Sequence, residues 1–204
     1  MSLKTIVKIS SVNNLSDARY CAGMGVEMIG FCLDQDKKEY IEPAKIKEII
    51  GWVAGIKIVG EFGKGNSSEE MNLLSTELGL DYIQVEMHDD LKDKIDAVKK
   101  PVIVAVDVMS PQLINILSIQ NNQIEYFLIH SDKESLEEKE LGLLEKMPSG
   151  KMLIGFGLNN ENILPIIEKV KPAGISLKGS KEISPGLKSF DELSDILERL
   201  EVED

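Results

Sequence analysis

The chain has 204 residues, of which 43% are hydrophobic and 28% charged, with a formal net charge of −12 at pH 7. Those totals suit one globular domain, or at most two small ones, with a sizeable core, and they exclude a disordered or low-complexity chain. The acidic surface repels phosphate backbones and anionic lipid, so neither nucleic acid nor a membrane surface is expected as a partner, and any anionic ligand needs a local site that overcomes this field.

The two cysteines, Cys21 and Cys32, make no disulfide framework and are expected to be reduced and buried. The opening MSLKTIVKIS lacks an apolar signal stretch, and no run approaches the length needed to cross a bilayer. The cytoplasm is the expected location.

Along the chain, β-rich apolar runs alternate with amphipathic ones about every 25 residues. The first strand is expected at Thr5–Ile9, followed by a helix over Asn14–Met24 that Gly25 ends. Glu27–Leu33 leads to a helix over Pro43–Val53, with proline in its first turn. Ile56–Glu61 leads to Ser67–Leu78, which starts Ser-Ser-Glu-Glu and stops at Gly79. Tyr82–Val85 precedes a weaker helix at Asp89–Val98, and Val102–Asp107 another at Pro111–Ile119. Glu125–Ile129, Lys151–Ile154 and Gly174–Leu177 pair with helices at Lys133–Lys146, Asn160–Lys169 and Ser189–Leu200. The acidic end, Glu201 to Asp204, reads as a frayed tail. Nearly continuous apolar strands imply cover on both faces. Eight strand–helix units without a linker predict an α/β fold, a single-domain (β/α)8 or TIM barrel over residues 1–204. An open doubly wound sheet fits less well, because no G-x-G-x-x-G follows the first strand.

In such a barrel, chemistry collects at the C-terminal ends of the strands. Those ends offer Lys8 and Ser10, Asp34, Glu61, Glu86 or His88, Asp107, and His130. The last two strands open into Gly155-Phe156-Gly157 and Lys178-Gly179-Ser180-Lys181. Glycines let N–H groups face an anion, a following helix adds its dipole, and Lys178 adds charge. Gly155, Gly157, Lys178, Gly179 and Ser180 are therefore the candidate phosphate cradle, against the alternative of two tight turns with solvated lysines. The carboxylates have no tight metal-ligand spacing, so no metal site is expected, and no cofactor is implied. His130 follows the apolar run Tyr126-Phe127-Leu128-Ile129 and can serve as acid, base or structural imidazole.

The chain resembles the phosphoribosylanthranilate isomerase family of tryptophan biosynthesis. VKISSVNNLSDARYCAGMGVEMIGF looks like the family's V-K-I-C-G opening and its later A-G-A-D-x-[IL]-G-F. YIEPAKIKEI is similar to Y-[IV]-S-P-E-x-A, and ELGLDYIQVE to E-L-G-L-D-x-[IV]-Q-L-H. GFGLNNENI is similar to G-G-L-[NT]-P-E-N-[IV], and ISPGLKSFDEL to the terminal S-P-G-x-K-D. The resemblance implies a barrel in which a cysteine base and an aspartate acid carry out an Amadori rearrangement of an aminoaldose ester. On this sequence the cysteine falls on Ser10 and the aspartate on His130. The family's arginine falls on Glu39, its histidine on Glu86, and its D-x-S-S-G loop on residues 176–180.

Three readings follow. The first is a divergent barrel that binds a small phosphorylated metabolite, or acts on one through His130, without the parent activity. The second is an active isomerase with relocated groups, His130 as acid and Asp107 as base. The third is a non-catalytic interaction protein. A monomer or a homodimer would serve any of them.

Overall fold

The computed structural model describes residues 2–88, 90–133, 135–179, 181–184, 187–189 and 191–202. In chain order the elements are β1 (Ile6–Ser10), α1 (Leu15–Gly23), β2 (Met28–Cys32), α2 (Pro43–Ile50), β3 (Lys57–Phe62), α3 (Ser68–Glu77), β4 (Tyr82–Glu86) and α4 (Leu91–Ala97). They continue with β5 (Val102–Asp107), α5 (Leu113–Leu117), β6 (Ile124–His130), α6 (Glu138–Leu144), β7 (Met152–Ile154), α7 (Ile163–Val170), β8 (Gly174–Lys178), β9 (Lys181–Ser184), β10 (Leu187–Ser189) and α8 (Asp191–Leu200). Strands β1 to β8 pair in sequence order, all parallel, and β8 returns to β1 to close the barrel.

Local chemistry fixes several boundaries. Asn14 caps α1 by accepting from the Asp17 N–H, and Ser67 caps α3 by accepting from Glu70. Pro43 opens α2, where its missing N–H costs nothing. The strands match the expected ones within two residues, because apolar runs buried on both faces are read directly from side-chain type. Helix α6 starts five residues later than Lys133, at Glu138, where a capping box formed by Glu137 and Glu140 sets its start. The antiparallel hairpin β9–β10 was not expected; its short polar strands carry no apolar period.

The tail also differs from expectation. Leu3 bridges to Glu201, and the Val202 N–H donates to the Ser2 carbonyl at 3.0 Å, so the two ends of the chain are tied together.

The core has two layers. The larger lies between strands and helices; the smaller fills the barrel and contains Met28, Val59, Ile103, Ala105, Leu128 and Leu153. Trp52 is exposed and Met71 fully buried, so of these two only Trp52 is free to make a surface contact. Among the described residues no helix is long and apolar enough to cross a membrane.

Candidate functional site at the barrel mouth

Strand side chains alternate, so every second residue beyond the inner core layer faces the barrel lumen. Stepping outward from Ile6, Met28, Val59, Tyr82, Ala105, Leu128, Leu153 and Gly174 leads to Ser10, Cys32, Glu61, Glu86, Asp107, His130, Gly155 and Lys178. The candidate residues Ser10, His130 and Asp107 therefore stand on one rim, at the C-terminal ends of β1, β6 and β5.

On the β1–β3 side the rim is sealed. Lys8 is completely buried, and its Nζ forms an ion pair with Glu61 Oε1 while donating to Ser10 Oγ at 2.7 Å. Glu61 Oε2 accepts from the Ser11 N–H at 3.1 Å and from the Ser11 hydroxyl at 3.3 Å. Ser10 Oγ lies 3.0 Å from Ser176 Oγ on β8. Since Lys8 donates into Ser10, the Ser10 hydrogen is left for Ser176 or the lumen. Two features make room for this arrangement. A Cβ at Gly30 would collide with the Glu61 carboxylate, and Ser11 takes a left-handed backbone, φ 55°, which an L side chain rarely adopts. Ser11 was not among the expected site residues. Its signal was the family pattern itself, whose glycine after the cysteine falls there.

The β4–β6 side is looser. From the loop after β2, Lys37 reaches across to pair with Glu86 at the end of β4. Burial works to lower the Lys37 pKa, but the hydrogen bond and charge of Glu86, aided by Cys32 and Asp34, raise it above the ordinary value. Asp107 and His130 are register neighbours; Asp107 Oδ1 accepts from the Met109 N–H at 2.6 Å. Burial holds the His130 pKa below its ordinary 6.5, outweighing the upward pull of Asp107, Glu86 and Asp132. The imidazole is thus neutral at pH 7. Cys32 is buried at the β2 end; desolvation raises its thiol pKa, so it is no ready thiolate. Glu86 ends the strand and joins Lys37, whereas His88 lies beyond it, with Nδ1 accepting from the Asp90 N–H. Glu39 is exposed.

The expected cradle at β7 and β8 needs a partial correction. The Gly155 N–H donates to the Ile129 carbonyl and the Gly179 N–H to the Ser10 carbonyl, so neither group is open to an anion. The start of α7 is also capped internally, because Asn159 Oδ1 accepts from Glu161 and Asn162. What the loop does offer is the run Phe156, Gly157 and Leu158, whose N–H groups make no hydrogen bond among the described residues. Gly157 holds φ 64°, and a Cβ there would press on the Leu136 backbone. Lys178 is exposed at the end of β8. Ser180 lies outside the described residues, as do Pro185, Gly186 and Phe190 of the terminal motif.

Among the described residues, no three His, Cys, Asp or Glu side chains are grouped to hold a metal ion. A hollow of about 330 Å³ lined by Leu136, Leu141, Asn159, Asn162, Pro165 and Ile166 lies between the starts of α6 and α7, beside the loop that follows β7.

Comparison with known proteins agrees with this geometry at the level of family. A relative from Sulfurihydrogenibium sp. named N-(5'-phosphoribosyl)anthranilate isomerase is 27% identical over 200 residues, covering 95% of this chain and 97% of its own length. The crystal structure of phosphoribosyl anthranilate isomerase from Thermus thermophilus superposes with a TM-score of 0.79 at 23% identity, covering 96% of this chain and 98% of that one. A second structure of such an isomerase, in complex with reduced 1-(o-carboxyphenylamino)-1-deoxyribulose 5-phosphate, gives a TM-score of 0.76 at 23% identity, with the same coverage. The family model described as N-(5'phosphoribosyl)anthranilate (PRA) isomerase matches residues 7–199, nearly the whole barrel, and the chain belongs to that family.

Proposed function

We propose that the barrel mouth binds a small phosphorylated metabolite and that the Amadori isomerisation of the parent family is absent or strongly reduced. The observation that carries this reading is the hydrogen bond from Lys8 Nζ to Ser10 Oγ. The position that the resemblance assigns to a thiolate base holds a hydroxyl whose oxygen already accepts from an ammonium. Such an oxygen is a poor proton acceptor, and the imidazole at the acid position is neutral at pH 7. Losing either member of an acid–base pair costs about 10²–10⁴ in rate, so losing both leaves little.

Support for the phosphate comes from the N–H groups of residues 156–158, which make no hydrogen bond among the described residues, from exposed Lys178, and from the 5-phosphate ligand of the related isomerase. Ser180 is proposed to complete this cradle. The protein would work in the cytoplasm as a monomer or homodimer. Calorimetric titration with ribose 5-phosphate and with ribose tests the reading. The phosphate ester should bind and ribose should not, and Lys178→Glu should weaken binding about tenfold. Equal binding of the two sugars would overturn it.

A second reading, an active isomerase with His130 as acid and Asp107 as base, is favoured by their adjacency across β5 and β6. It requires turnover of phosphoribosylanthranilate that His130→Ala abolishes.

A further inference from the structure

Strand β4 presents Tyr82, Gln84 and Glu86 to the lumen, since Ile83 and Val85 pack outward against the helix layer. Tyr82 packs on the inner core layer and Glu86 stands on the rim, so Gln84 lies between them, at the floor of the mouth. Below this level Val59, Ile103 and Leu153 are fully buried and close the barrel, while Gln84 stays partly accessible from the mouth. The other polar side chains at this level are partnered. Lys8 holds Glu61 and Ser10, Glu61 Oε2 accepts from Ser11, and Ser176 meets Ser10. Gln84 is the exception. Its Oε1 is buried, and its amide makes no hydrogen bond among the described residues. The neighbouring strands explain why. Its register partner on β3 is Glu61, a carboxylate with no proton to donate and both oxygens engaged. Its register partner on β5 is Ile103, which is apolar.

A buried acceptor without a donor costs the desolvation of that group and returns nothing to the fold. An apolar side chain of the same size would serve the fold as well or better, so the use of this amide lies in what enters the mouth. In a closed ring of eight strands β4 stands opposite β8, and the proposed phosphate cradle lies at the ends of β7 and β8. A ligand held there by its phosphate and lying across the mouth brings its far end over Gln84. An amide presents an acceptor and a donor side by side, and the uncharged group that answers both is a hydroxyl.

We infer that Gln84 is a specificity-determining residue, whose amide takes the hydroxyls of a sugar phosphate at the end remote from the phosphate. The inference rests on the phosphate-binding reading above. The test is calorimetric titration of the full chain and of Gln84→Met with ribose 5-phosphate, 1,2-dideoxyribose 5-phosphate and ribose, with urea unfolding of both chains free of ligand. The unsubstituted chain should bind ribose 5-phosphate about tenfold or more tightly than the dideoxy compound, which lacks the two hydroxyls furthest from the phosphate. Gln84→Met should remove most of that ratio by weakening ribose 5-phosphate, with the dideoxy affinity kept within about twofold. Its unfolding midpoint should hold or rise, because the substitution removes an unpaired acceptor at similar volume; an amide that served only the fold would lower it and leave the ratio alone. Equal binding of the two phosphates by the unsubstituted chain, an unchanged ratio in Gln84→Met, or a lowered midpoint each overturns the inference and leaves the phosphate reading standing. Equal affinity for ribose and ribose 5-phosphate overturns the phosphate reading and, with it, the placing of Gln84 at the remote end. No binding by any of the probes overturns both.

Discussion

The two sides of the rim treat charge in opposite ways. Between β1 and β3, Lys8, Glu61, Ser10 and Ser11 are locked in a hydrogen-bonded group, with Lys8 fully buried and the Glu61 side chain 10% exposed. Between β4 and β6, Lys37 is 45% exposed and Asp107 and His130 are half-buried. The first side is where the family resemblance puts the base, and there the side chains are committed to holding one another. The second side keeps groups that can exchange partners with a ligand. A site can thus keep its barrel and its rim positions while one half changes from chemistry to structure.

The largest effect should come from breaking the sealed side. Glu61→Leu leaves an uncompensated buried ammonium, which typically costs about 3–5 kcal/mol, whereas Lys8→Met combined with Glu61→Leu should recover most of that loss. Urea unfolding measures both; a single variant that costs under about 1 kcal/mol would show that the pair is not buried as described. Next comes Gly30→Ala. Its methyl group would push against a carboxylate pinned by Lys8 and Ser11, and overpacking of this kind costs about 1–3 kcal/mol.

On the open side the effects should be smaller. Burial keeps His130 from charging in the fold, so at neutral pH it is silent. As pH falls through 6.5 the unfolded chain takes up the proton first, and stability drops until the folded state protonates at its lower pKa. His130→Gln should remove that part of the acid slope, read from unfolding curves between the two pKa values. A slope unchanged in the variant would mean that the imidazole is not desolvated. Smallest of all, Lys37→Ala breaks a largely exposed pair and should cost about 0–1 kcal/mol, less at high salt.

The fold was legible because its signal is redundant. Eight apolar runs such as Val102–Asp107, separated by capped helices, admit few arrangements other than a closed barrel. The rim was legible to the extent that it follows from strand ends: Ser10, Glu61, Glu86, Asp107 and His130 all lie there. Partnership was not legible. That Lys8 pairs with Glu61 depends on a contact between residues 53 apart, and that Lys37 replaces solvent around Glu86 depends on the path of a loop. The cradle shows the same limit. Glycine content marked Gly155, Gly157 and Gly179 alike, but only the hydrogen-bond ladder distinguishes Gly155 and Gly179, whose N–H groups hold the barrel, from the open run at 156–158.

The most direct measurement is steady-state turnover of phosphoribosylanthranilate by the purified chain, alongside the double substitution Ser10→Cys, His130→Asp. The account predicts a kcat/KM at least about 10⁴ below an active relative assayed in parallel, with any gain appearing only in the double variant. Turnover by the unsubstituted chain at the rate of that relative would contradict it.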